Sequence, residues 1–260
     1  MASYVIAITR AVSDAINNCE LTHLTRERID LDRARAQHRA YEHALETVAH
    51  CALVHVAPAP DLPDAVFVED TALVVDEIAI ITRPGAASRR PETAGVADVL
   101  RRYRELRYVE APGTIDGGDV VVAGRRVFVG RSSRTNDHAI AQVRAILQPY
   151  GYEVVAVDVL GGLHLKSAAT VVSANQLLVN PAWIPARAFT GLDLLEIDPQ
   201  EPYAANILKA GGGYIYSLAF PRTADRLQRG GLQLDLIDMS ELAKAEGAVT
   251  CCSLLLNSGK

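Results

Sequence analysis

Short apolar runs occur in pairs along the chain, and a brief polar turn joins the two runs of each pair. Within a run the residues are mostly Val, Ile, Leu and Ala, which is typical of buried β-strands. The turns are Asp-Glu, Ala-Gly-Arg-Arg, Ser-Ala-Asn-Gln and Lys-Ala-Gly-Gly-Gly, and all of them suit hairpins. The pattern predicts four β-hairpins, within residues 69–85, 116–135, 164–181 and 203–223.

The repeating unit is larger than a hairpin, because further elements follow the paired strands. Apolar positions recur at helical spacing in residues 91–106 and 136–150. A further apolar run follows each helix, at residues 106–109 and 153–157, and residues 224–237 repeat the plan more briefly. The period of about 40 to 48 residues falls in the range that indicates a modular array.

A fifth unit is divided between the two ends of the chain. Residues 252–256 form one lone apolar strand and residues 4–9 form the other. If the two strands pair, they complete a fifth hairpin, close a ring and leave no sheet edge exposed. The helical pattern of residues 31–49 then takes the helix position of this unit. The sequence therefore predicts an α/β fold of five pseudo-symmetric ββαβ units in a single domain, residues 1–260.

Polar residues stand at the start of the first strand in four of these units. In a pseudo-symmetric ring, equivalent positions lie at the same distance from the axis, so residues far apart in sequence are brought together. We therefore expect carboxylates, a histidine and a thiol to face one another around a central channel. The residues at these positions are Glu69, Asp70, Asp116, Asp119, His164, Ser167 and Cys251.

Composition and charge argue against several other classes of protein. The net charge is −5, so the overall field gives no reason to expect a nucleic-acid partner. We expect Arg101, Arg102, Arg104 and Arg107 to form a solvated helix face. No stretch has the length that a bilayer crossing needs, and the first residues lack the pattern of a signal peptide. The four cysteines do not have metal-binding spacing, and a reduced, cytoplasmic location is the default.

Cys251 and His164 together indicate nucleophilic catalysis. Each also has a simpler interpretation, because cysteines are often small buried hydrophobes and a histidine between apolar residues is often a satisfied core residue. The acidic residues would repel one another unless a cation joined them. A guanidinium suits that role, because carboxylates bind its planar fork in a bidentate manner, and a metal ion is the competing cation. Arg89 and Arg134 follow the second strands of two units and suit a substrate that also carries a carboxylate.

Five motifs, in order along the chain, resemble those of dimethylarginine dimethylaminohydrolase, a family of guanidine-modifying enzymes. They are PDAVFVEDTALV with AIITRPGAASRR, APGTIDGGDV, VGRSSRTN, LHLKSAAT and GAVTCCSLLLN. With the strand near residue 7 they cover nearly the whole chain. The resemblance implies a five-bladed α/β-propeller, which agrees with the repeats described above.

The resemblance also implies roles for individual residues. Cys251 is expected to be the nucleophile, His164 the general acid and base, and Asp116 the acidic partner of that histidine. The substrate-binding positions that it implies are Glu69 and Asp70 near the guanidinium, Asp64 at the α-amine, Arg89 and Arg134 at the α-carboxylate, Leu21 at the tip of a mobile lid, and Ala245 as a backbone contact.

The activity implied is hydrolysis of an Nω-methylated arginine to citrulline and dimethylamine or methylamine, through a covalent S-alkylthiouronium on the cysteine. The partner is a small molecule, no cofactor or metal is required, and neither nucleic acid nor membrane is expected; a homodimer is left open. The nearest alternative is a deiminase-type hydrolase that releases ammonia from arginine or a related guanidine. A non-catalytic binder of arginine analogues and a metal-binding scaffold are the alternatives from other classes.

Overall fold

The computed structural model describes residues 4–258, and the strands in this part of the chain form five three-stranded sheets. The strands are β1 (Val5–Thr9), β2 (Ala52–His55), β3 (Ala72–Val74), β4 (Ile78–Ile81), β5 (Glu105–Tyr108), β6 (Val120–Ala123), β7 (Arg126–Arg131), β8 (Glu153–Asp158), β9 (Ala169–Ser173), β10 (Gln176–Val179), β11 (Asp193–Glu196), β12 (Ile207–Ala210), β13 (Gly213–Ser217), β14 (Leu234–Ile237) and β15 (Leu254–Asn257).

All five sheets share one plan, in which the middle strand pairs antiparallel with one neighbour and parallel with the other. Their strand orders are β15-β1-β2, β3-β4-β5, β6-β7-β8, β9-β10-β11 and β12-β13-β14. The predicted pairing of the terminal strands is confirmed, with Val5 opposite Asn257 and Ile8 opposite Leu254. The fold is a five-bladed α/β-propeller, and complete closure of the ring stays a prediction.

Helices join the middle strand of a sheet to its parallel neighbour in four of the five units. The N-termini of two of them are capped by side chains, because Asp30 accepts a hydrogen bond from the amide of Arg33 and Asn136 from that of Ala139. In the unit of β9 to β11, a single 3₁₀ turn, Ala186–Phe189, stands in place of a helix. The helices are α1 (Leu31–Thr47), α2 (Glu92–Leu100), α3 (Asp137–Leu147), α4 (Pro221–Arg229) and the short α5 (Ser240–Ala243).

The apolar core lies largely between neighbouring units. One cluster joins Ile8 of β1 and Leu254 of β15 to Ile81 of β4 and Leu100 of α2. Burial of each such side chain contributes about 1.5–3 kcal/mol. Because adjacent sheets share a core, the turns that begin their first strands are held in fixed positions relative to one another.

The first helix after a hairpin is shorter than the sequence predicts. The pattern of residues 91–106 continues past Leu100, where α2 ends. Arg104 is buried, and its guanidinium donates to the carbonyls of Val75 at 3.1 Å and Asn257 at 2.8 Å. The predicted solvated helix face is therefore wrong. Arg101 and Arg102 lie in an exposed turn, whereas Arg107 belongs to β5.

Two other boundaries differ from the prediction. Residues 136–150 form α3 and then a 3₁₀ turn, Gln148–Tyr150, in which Pro149 ends the α-helical hydrogen bonding. The predicted strand at residues 252–256 begins only at Leu254. The chain turns before it, since the amide of Cys251 donates to the carbonyl of Ala248 at 3.1 Å.

Of the helices in residues 4–258, none combines the length and the apolarity that a membrane crossing needs. The single domain, residues 1–260, stays a prediction. Residues 1–3 and 259–260 of that range lie outside the described part of the chain.

Candidate active site

Short 3₁₀ turns carry three of the predicted polar positions. The turns are Val68–Thr71, Gly117–Asp119 and Leu165–Ser167; the first two lie directly before the first strand of their unit and the third lies one residue before it. Asp116 and His164 are the N-cap residues of the second and third turns. The prediction placed these residues at the strand starts, and the structure places them one turn earlier. The fourth position, Cys251, lies in the turn before β15.

Two successive glycines allow these turns to approach one another closely. A Cβ atom on Gly117 would lie 2.0 Å from the carbonyl oxygen of Glu69. A Cβ atom on Gly118 would lie 2.5 Å from Nδ1 of His164. The Gly-Gly-Asp sequence is therefore required for the first three polar turns to meet.

His164 is buried between two carboxylates. Its Nε2 atom lies 3.1 Å from Oδ2 of Asp116, and its Nδ1 atom lies 3.8 Å from Oδ1 of Asp70. Asp116 is held from its other side, because its Oδ1 atom accepts the amide of Gly85 at 2.9 Å. The orientation of the ring is thus fixed by the hydrogen bond to Asp116.

Asp119 supports the histidine turn without touching the ring. Its Oδ1 atom accepts the amide of Leu165 at 2.9 Å, and its Oδ2 atom accepts the hydroxyls of Ser132 at 2.5 Å and Thr135 at 2.6 Å. Burial raises the pKa of Asp119, although these hydrogen bonds favour the ionised form. This carboxyl group is therefore a structural anchor for the residue that follows His164.

The charge state of His164 is set by opposing effects. Burial disfavours the charged ring, but the negative charge of Asp70 and the hydrogen bond to Asp116 outweigh it and raise the pKa of His164 to about 9. At neutral pH the ring is therefore an imidazolium. Such a group can donate a proton to a departing amine.

Cys251 presents its thiol to the same pocket. Its Sγ atom accepts a hydrogen bond from the amide of Ala248 at 3.4 Å. Burial, together with the charges of Glu69 and Asp70, raises the pKa of the Cys251 thiol well above its ordinary value. The next residue, Cys252, is 0% exposed and belongs to the apolar core. Only the first of the two adjacent cysteines lines the pocket.

Asp70 is joined to a buried arginine. Its Oδ2 atom accepts from Nη1 of Arg89 at 2.6 Å, and its Oδ1 atom accepts the amide of Gly118 at 2.9 Å. Burial opposes ionisation of Asp70, but the positive charges of His164 and Arg89 prevail and lower its pKa to about 2. Asp70 therefore stays negatively charged in the pocket over the whole working range of pH.

A single pocket brings together seven of the ten predicted site residues. In the described conformation its cavity measures about 20 Å³, which is room for about one water molecule. An arginine derivative cannot enter unless part of the wall moves. The predicted residues that line it are Asp64, Asp70, Arg89, Arg134, His164, Ala245 and Cys251.

The other three predicted residues do not line this pocket. Asp116 is fully buried behind the ring of His164. The carboxylate of Glu69 faces away from the pocket. It accepts one hydrogen bond from Nζ of Lys166 at 2.7 Å and another from the hydroxyl of Thr250 at 2.9 Å. Leu21 is half-buried and packs against the core cluster that contains Cys252. Direct contact of Glu69 or Leu21 with a substrate therefore stays a prediction.

Sequence reasoning missed several residues that form this site. Glu20 and Glu246 line the pocket, and Phe67, Leu163 and Gly247 complete its wall. Lys166 forms an ion pair with Glu69. Its place two residues after His164 was the one feature of the sequence that could have indicated that it belongs to the site. The position of Glu246 had no signal in the sequence, since it depends on how a loop folds.

Three predicted side chains could also form a metal site. One ligand atom from each of Asp70, Asp116 and His164 lies within 4.8 Å of the others. Two arginines oppose a cation there, because Arg89 binds Asp70 at 2.6 Å and Arg134 Nη1 lies 3.9 Å from Asp116. Charge repulsion from these guanidinium groups makes the donor set a poor fit for a divalent ion.

Comparison with known proteins agrees with this geometry. Residues 6–188 match a family model described as N,N dimethylarginine dimethylhydrolase, eukaryotic. An N(G),N(G)-dimethylarginine dimethylaminohydrolase of Streptomyces coelicolor is 40% identical over 254 residues, which is 96% of each chain. The chain belongs to the dimethylarginine dimethylaminohydrolase family. A relative of the same name from Pseudomonas aeruginosa is 35% identical over 98% of this chain and 99% of its own.

Solved structures of the dimethylarginine dimethylaminohydrolase family have the same fold. A mutant of the Pseudomonas aeruginosa enzyme, complexed with citrulline, superposes with a TM-score of 0.91 at 33% identity, covering 97% of this chain and 99% of that one. The N-terminal domain of ArgZ, an arginine dihydrolase from cyanobacteria, gives a TM-score of 0.88 over 97% of each chain. It is only 17% identical, so this second likeness concerns the fold alone.

Proposed function

We propose that this protein hydrolyses Nω-methylated arginine to citrulline and dimethylamine or methylamine, with Cys251 as the covalent nucleophile. The observation that carries the proposal is the pocket itself. It places the thiol of Cys251, the imidazolium of His164 and the ionised Asp70 around one small cavity, with Arg134 also in its wall. A thiol, an acid and a permanent negative charge are the groups that guanidinium hydrolysis needs.

Family membership supports this activity. Two relatives that match nearly the whole chain are named N(G),N(G)-dimethylarginine dimethylaminohydrolase. A mutant of the Pseudomonas aeruginosa enzyme has been solved with citrulline, and a variant of a dimethylarginine dimethylaminohydrolase has been solved as an adduct with S-methyl-L-thiocitrulline. The first of these ligands is the amino acid product of the reaction proposed here.

The first step is attack by Cys251 on the guanidinium carbon. The thiol is neutral in the free enzyme, because burial and nearby negative charges raise its pKa. A bound guanidinium offsets the negative field of Asp70 and favours loss of the thiol proton to solvent. The thiolate then forms a bond to carbon, and the electron pair of the C=N bond moves to nitrogen, which gives a tetrahedral adduct.

His164 serves first as an acid and then as a base. Its ring proton passes to the methylated nitrogen, the C–N bond breaks, and dimethylamine or methylamine departs. An S-alkylthiouronium remains attached to Cys251. The neutral ring then accepts a proton from water as the water oxygen bonds to carbon. The C–S bond breaks next as the proton of the new hydroxyl group passes to solvent, which releases the ureido group of citrulline and the Cys251 thiolate. Asp116 holds the ring in place in both half-reactions.

The amino acid end of the substrate is assigned to the outer part of the pocket. Arg134 has a guanidinium with few protein partners and suits the α-carboxylate. Asp64 lies in the same wall and suits the α-amine. Arg89 can bind the α-carboxylate only with those N–H groups of its guanidinium that do not already donate to Asp70 or Glu92. Ala245 is proposed to contribute a backbone contact.

Side-by-side incubation with asymmetric dimethylarginine and arginine tests the proposal. Citrulline and the released amine are quantified for each substrate, with Cys251→Ser as the matched control. We expect dimethylamine from the first substrate and little ammonia from the second. Ammonia release from arginine at the higher rate would favour the deiminase alternative, and binding without turnover would favour a non-catalytic binder. A cytoplasmic location and a homodimer stay predictions.

A further inference from the structure

A compact loop, residues 18–28, lies at the mouth of the pocket; we term it the cover loop. The side chain of Asn17 fixes its two ends together, because Nδ2 donates to the carbonyl of Ile29 at 3.1 Å and Oδ1 accepts the amide of Ile29 at 2.8 Å. Arg26 folds back and donates to the carbonyls of Asn17 and Cys19, both at 2.6 Å. Such a loop can move as a unit between fixed ends.

One carboxylate holds the centre of the cover loop. Glu246 accepts the backbone amides of three successive residues, Thr22 at 3.1 Å, His23 at 2.5 Å and Leu24 at 2.7 Å. Successive amides that converge on one anion form a concave binding site for negative charge. All three loop residues are exposed. They lie more than two hundred positions before Glu246 in the sequence.

The backbone of Glu246 adopts a conformation that favours glycine. Its φ angle is +59°, and it follows the end of α5, where the amide of Gly247 donates to the carbonyl of Leu242 at 3.0 Å. Glycine is the usual residue at such a left-handed position after a helix. A glutamate there has a conformational cost, and an outlier of this kind points to a function of its side chain.

Glu246 connects the cover loop to the segment that carries the nucleophile. It lines the pocket and lies five positions before Cys251, in the loop whose Ala248 amide binds the sulfur. The cavity of about 20 Å³ is too small for an amino acid. A substrate can therefore enter only after part of the wall has moved, and the contacts between Glu246 and the cover loop join two parts of that wall.

The cover loop also occupies groups assigned to the substrate. The amide of Glu20 donates to Oδ2 of Asp64 at 3.1 Å, and Nη2 of Arg134 donates to the hydroxyl of Thr22 at 2.9 Å. An α-amine and an α-carboxylate would compete for these same side chains. The bonds to Glu246 are different, because no part of the proposed substrate replaces them. They can therefore hold the loop closed both with and without a bound substrate, and they act at its centre, whereas the bonds from Ser88 to Glu20 and from Lys244 to Arg28 act nearer its ends.

We propose that Glu246 is the latch of the cover loop and a positioning residue for the reaction, which acts by closing the loop over the bound substrate. The effect on kinetics rests on the proposed function, whereas the claim that Glu246 holds the cover loop closed in the free protein does not. Removing the carboxylate charge should raise the open fraction of the loop in the free protein and weaken retention of the substrate.

Two variants and one control separate the latch from a structural role. Glu246→Gln keeps the side-chain shape but loses the charge, and Glu246→Gly removes the carboxylate while relieving the left-handed backbone. Glu27→Gln is the control, because the side chain of Glu27 lies on the same loop and makes no hydrogen bond or ion pair within residues 4–258. Melting temperatures should show that Glu246→Gly is at least as stable as the wild type.

Hydrogen exchange of the free protein measures the latch directly. We expect the amides of residues 22–24 to exchange about tenfold faster in both Glu246 variants, since bonds to a charged acceptor are lost. Alkylation of Cys251 by iodoacetamide should accelerate in parallel, and the Glu27→Gln control should match the wild type in both assays. Unchanged exchange of residues 22–24 in both variants would overturn the inference.

Steady-state kinetics with asymmetric dimethylarginine measure the consequence for catalysis. KM should rise about tenfold in Glu246→Gln, while kcat changes by less than about twofold, because the reacting groups are untouched. A lost kcat with unchanged KM would contradict a latch. Should the wild type not turn over the substrate, the proposed function fails, and the exchange and alkylation assays still decide the latch.

Discussion

The Nη1 atom of Arg89 lies 2.6 Å from the Oδ2 atom of Asp70, and both side chains are buried. Nε and Nη2 of the same arginine bind the carboxylate of Glu92, and Nη2 also donates to the carbonyl of Phe67 at 3.1 Å. The guanidinium of Arg134, in contrast, has one hydrogen bond to Thr22 and a contact of 3.9 Å to Asp116 among the described residues. The two arginines thus have different tasks, although the sequence assigns them as a pair.

Replacing each arginine should give different results. Arg89→Ala leaves Asp70 and Glu92 buried without their partner, so we expect a loss of about 3–5 kcal/mol in the free energy of unfolding, together with a lower kcat. Arg134→Ala should leave stability nearly unchanged and raise KM roughly 10- to 100-fold through loss of a charged hydrogen bond. Urea unfolding and steady-state kinetics on both variants measure these effects.

The variants serve as controls for one another. If Arg89 acts only on the α-carboxylate, as the sequence comparison with the family implies, its alanine variant would raise KM alone and unfold like the wild type. That result would contradict the role in positioning Asp70.

The adjacent cysteines should differ sharply on substitution. Cys251→Ser is expected to lose activity by about 10⁴-fold or more, because a serine hydroxyl is a far weaker nucleophile at this position. It should still bind the substrate. Cys252→Ser should stay active, since Cys252 lies in the core and not in the pocket. Citrulline formation and isothermal titration check both, and a dead Cys252→Ser variant with an intact fold would refute the assignment.

Asp116→Asn should remove the negative charge that is hydrogen-bonded to the ring of His164. Without the negative charge, the pKa of His164 falls from about 9 towards its ordinary value. A smaller fraction of the ring is then protonated at neutral pH and its orientation is less well fixed, so we expect kcat to drop by about 10²- to 10⁴-fold. NMR titration of ¹³C-labelled histidine measures the pKa. An unaltered titration near pH 9 would mean that Asp70 alone sets the charge of the ring.

The raised pKa of His164 also makes a prediction for stability. The folded protein binds the proton more tightly than the unfolded chain, so this contribution is complete below pH 6.5 and is lost as the pH rises through about 9. The difference of 2.5 in pKa corresponds to at most about 3 kcal/mol. Urea unfolding at pH 6 and pH 9 should show this loss in the wild type. His164→Asn should lack it, and an equal loss in that variant would assign the effect to another group.

The sequence predicted the repeating fold because each unit has its own hairpin signal. Turn residues and apolar runs are local, so the pairing of β1 with β15 could be inferred from the four complete hairpins. Arg104 could not be placed from its neighbours in sequence. Its guanidinium binds a carbonyl 153 positions away, and helical spacing alone made it look solvated.

The site was predictable in part for the same reason. Equivalent positions in the repeat brought His164, Asp70 and Cys251 together, as the symmetry argument requires. Glu69 occupies such a position too, but its side chain points to the opposite side of the turn from that of Asp70, and Lys166 binds it there. The role of Glu246 depends on a non-repeating loop, and no periodic pattern could reveal it.

Cys251, the proposed nucleophile, lies three positions before β15. Because β15 pairs with β1, residues 4 and 258 are neighbours, and the amide of residue 258 donates to the carbonyl of Tyr4 at 2.7 Å. A short linker between the ends, with new termini opened in the exposed turn at Gly124, would give a circular permutant. This variant would keep the pairing of β1 with β15 intact. Removal of the first strand would instead free the segment that carries the sulfur of Cys251.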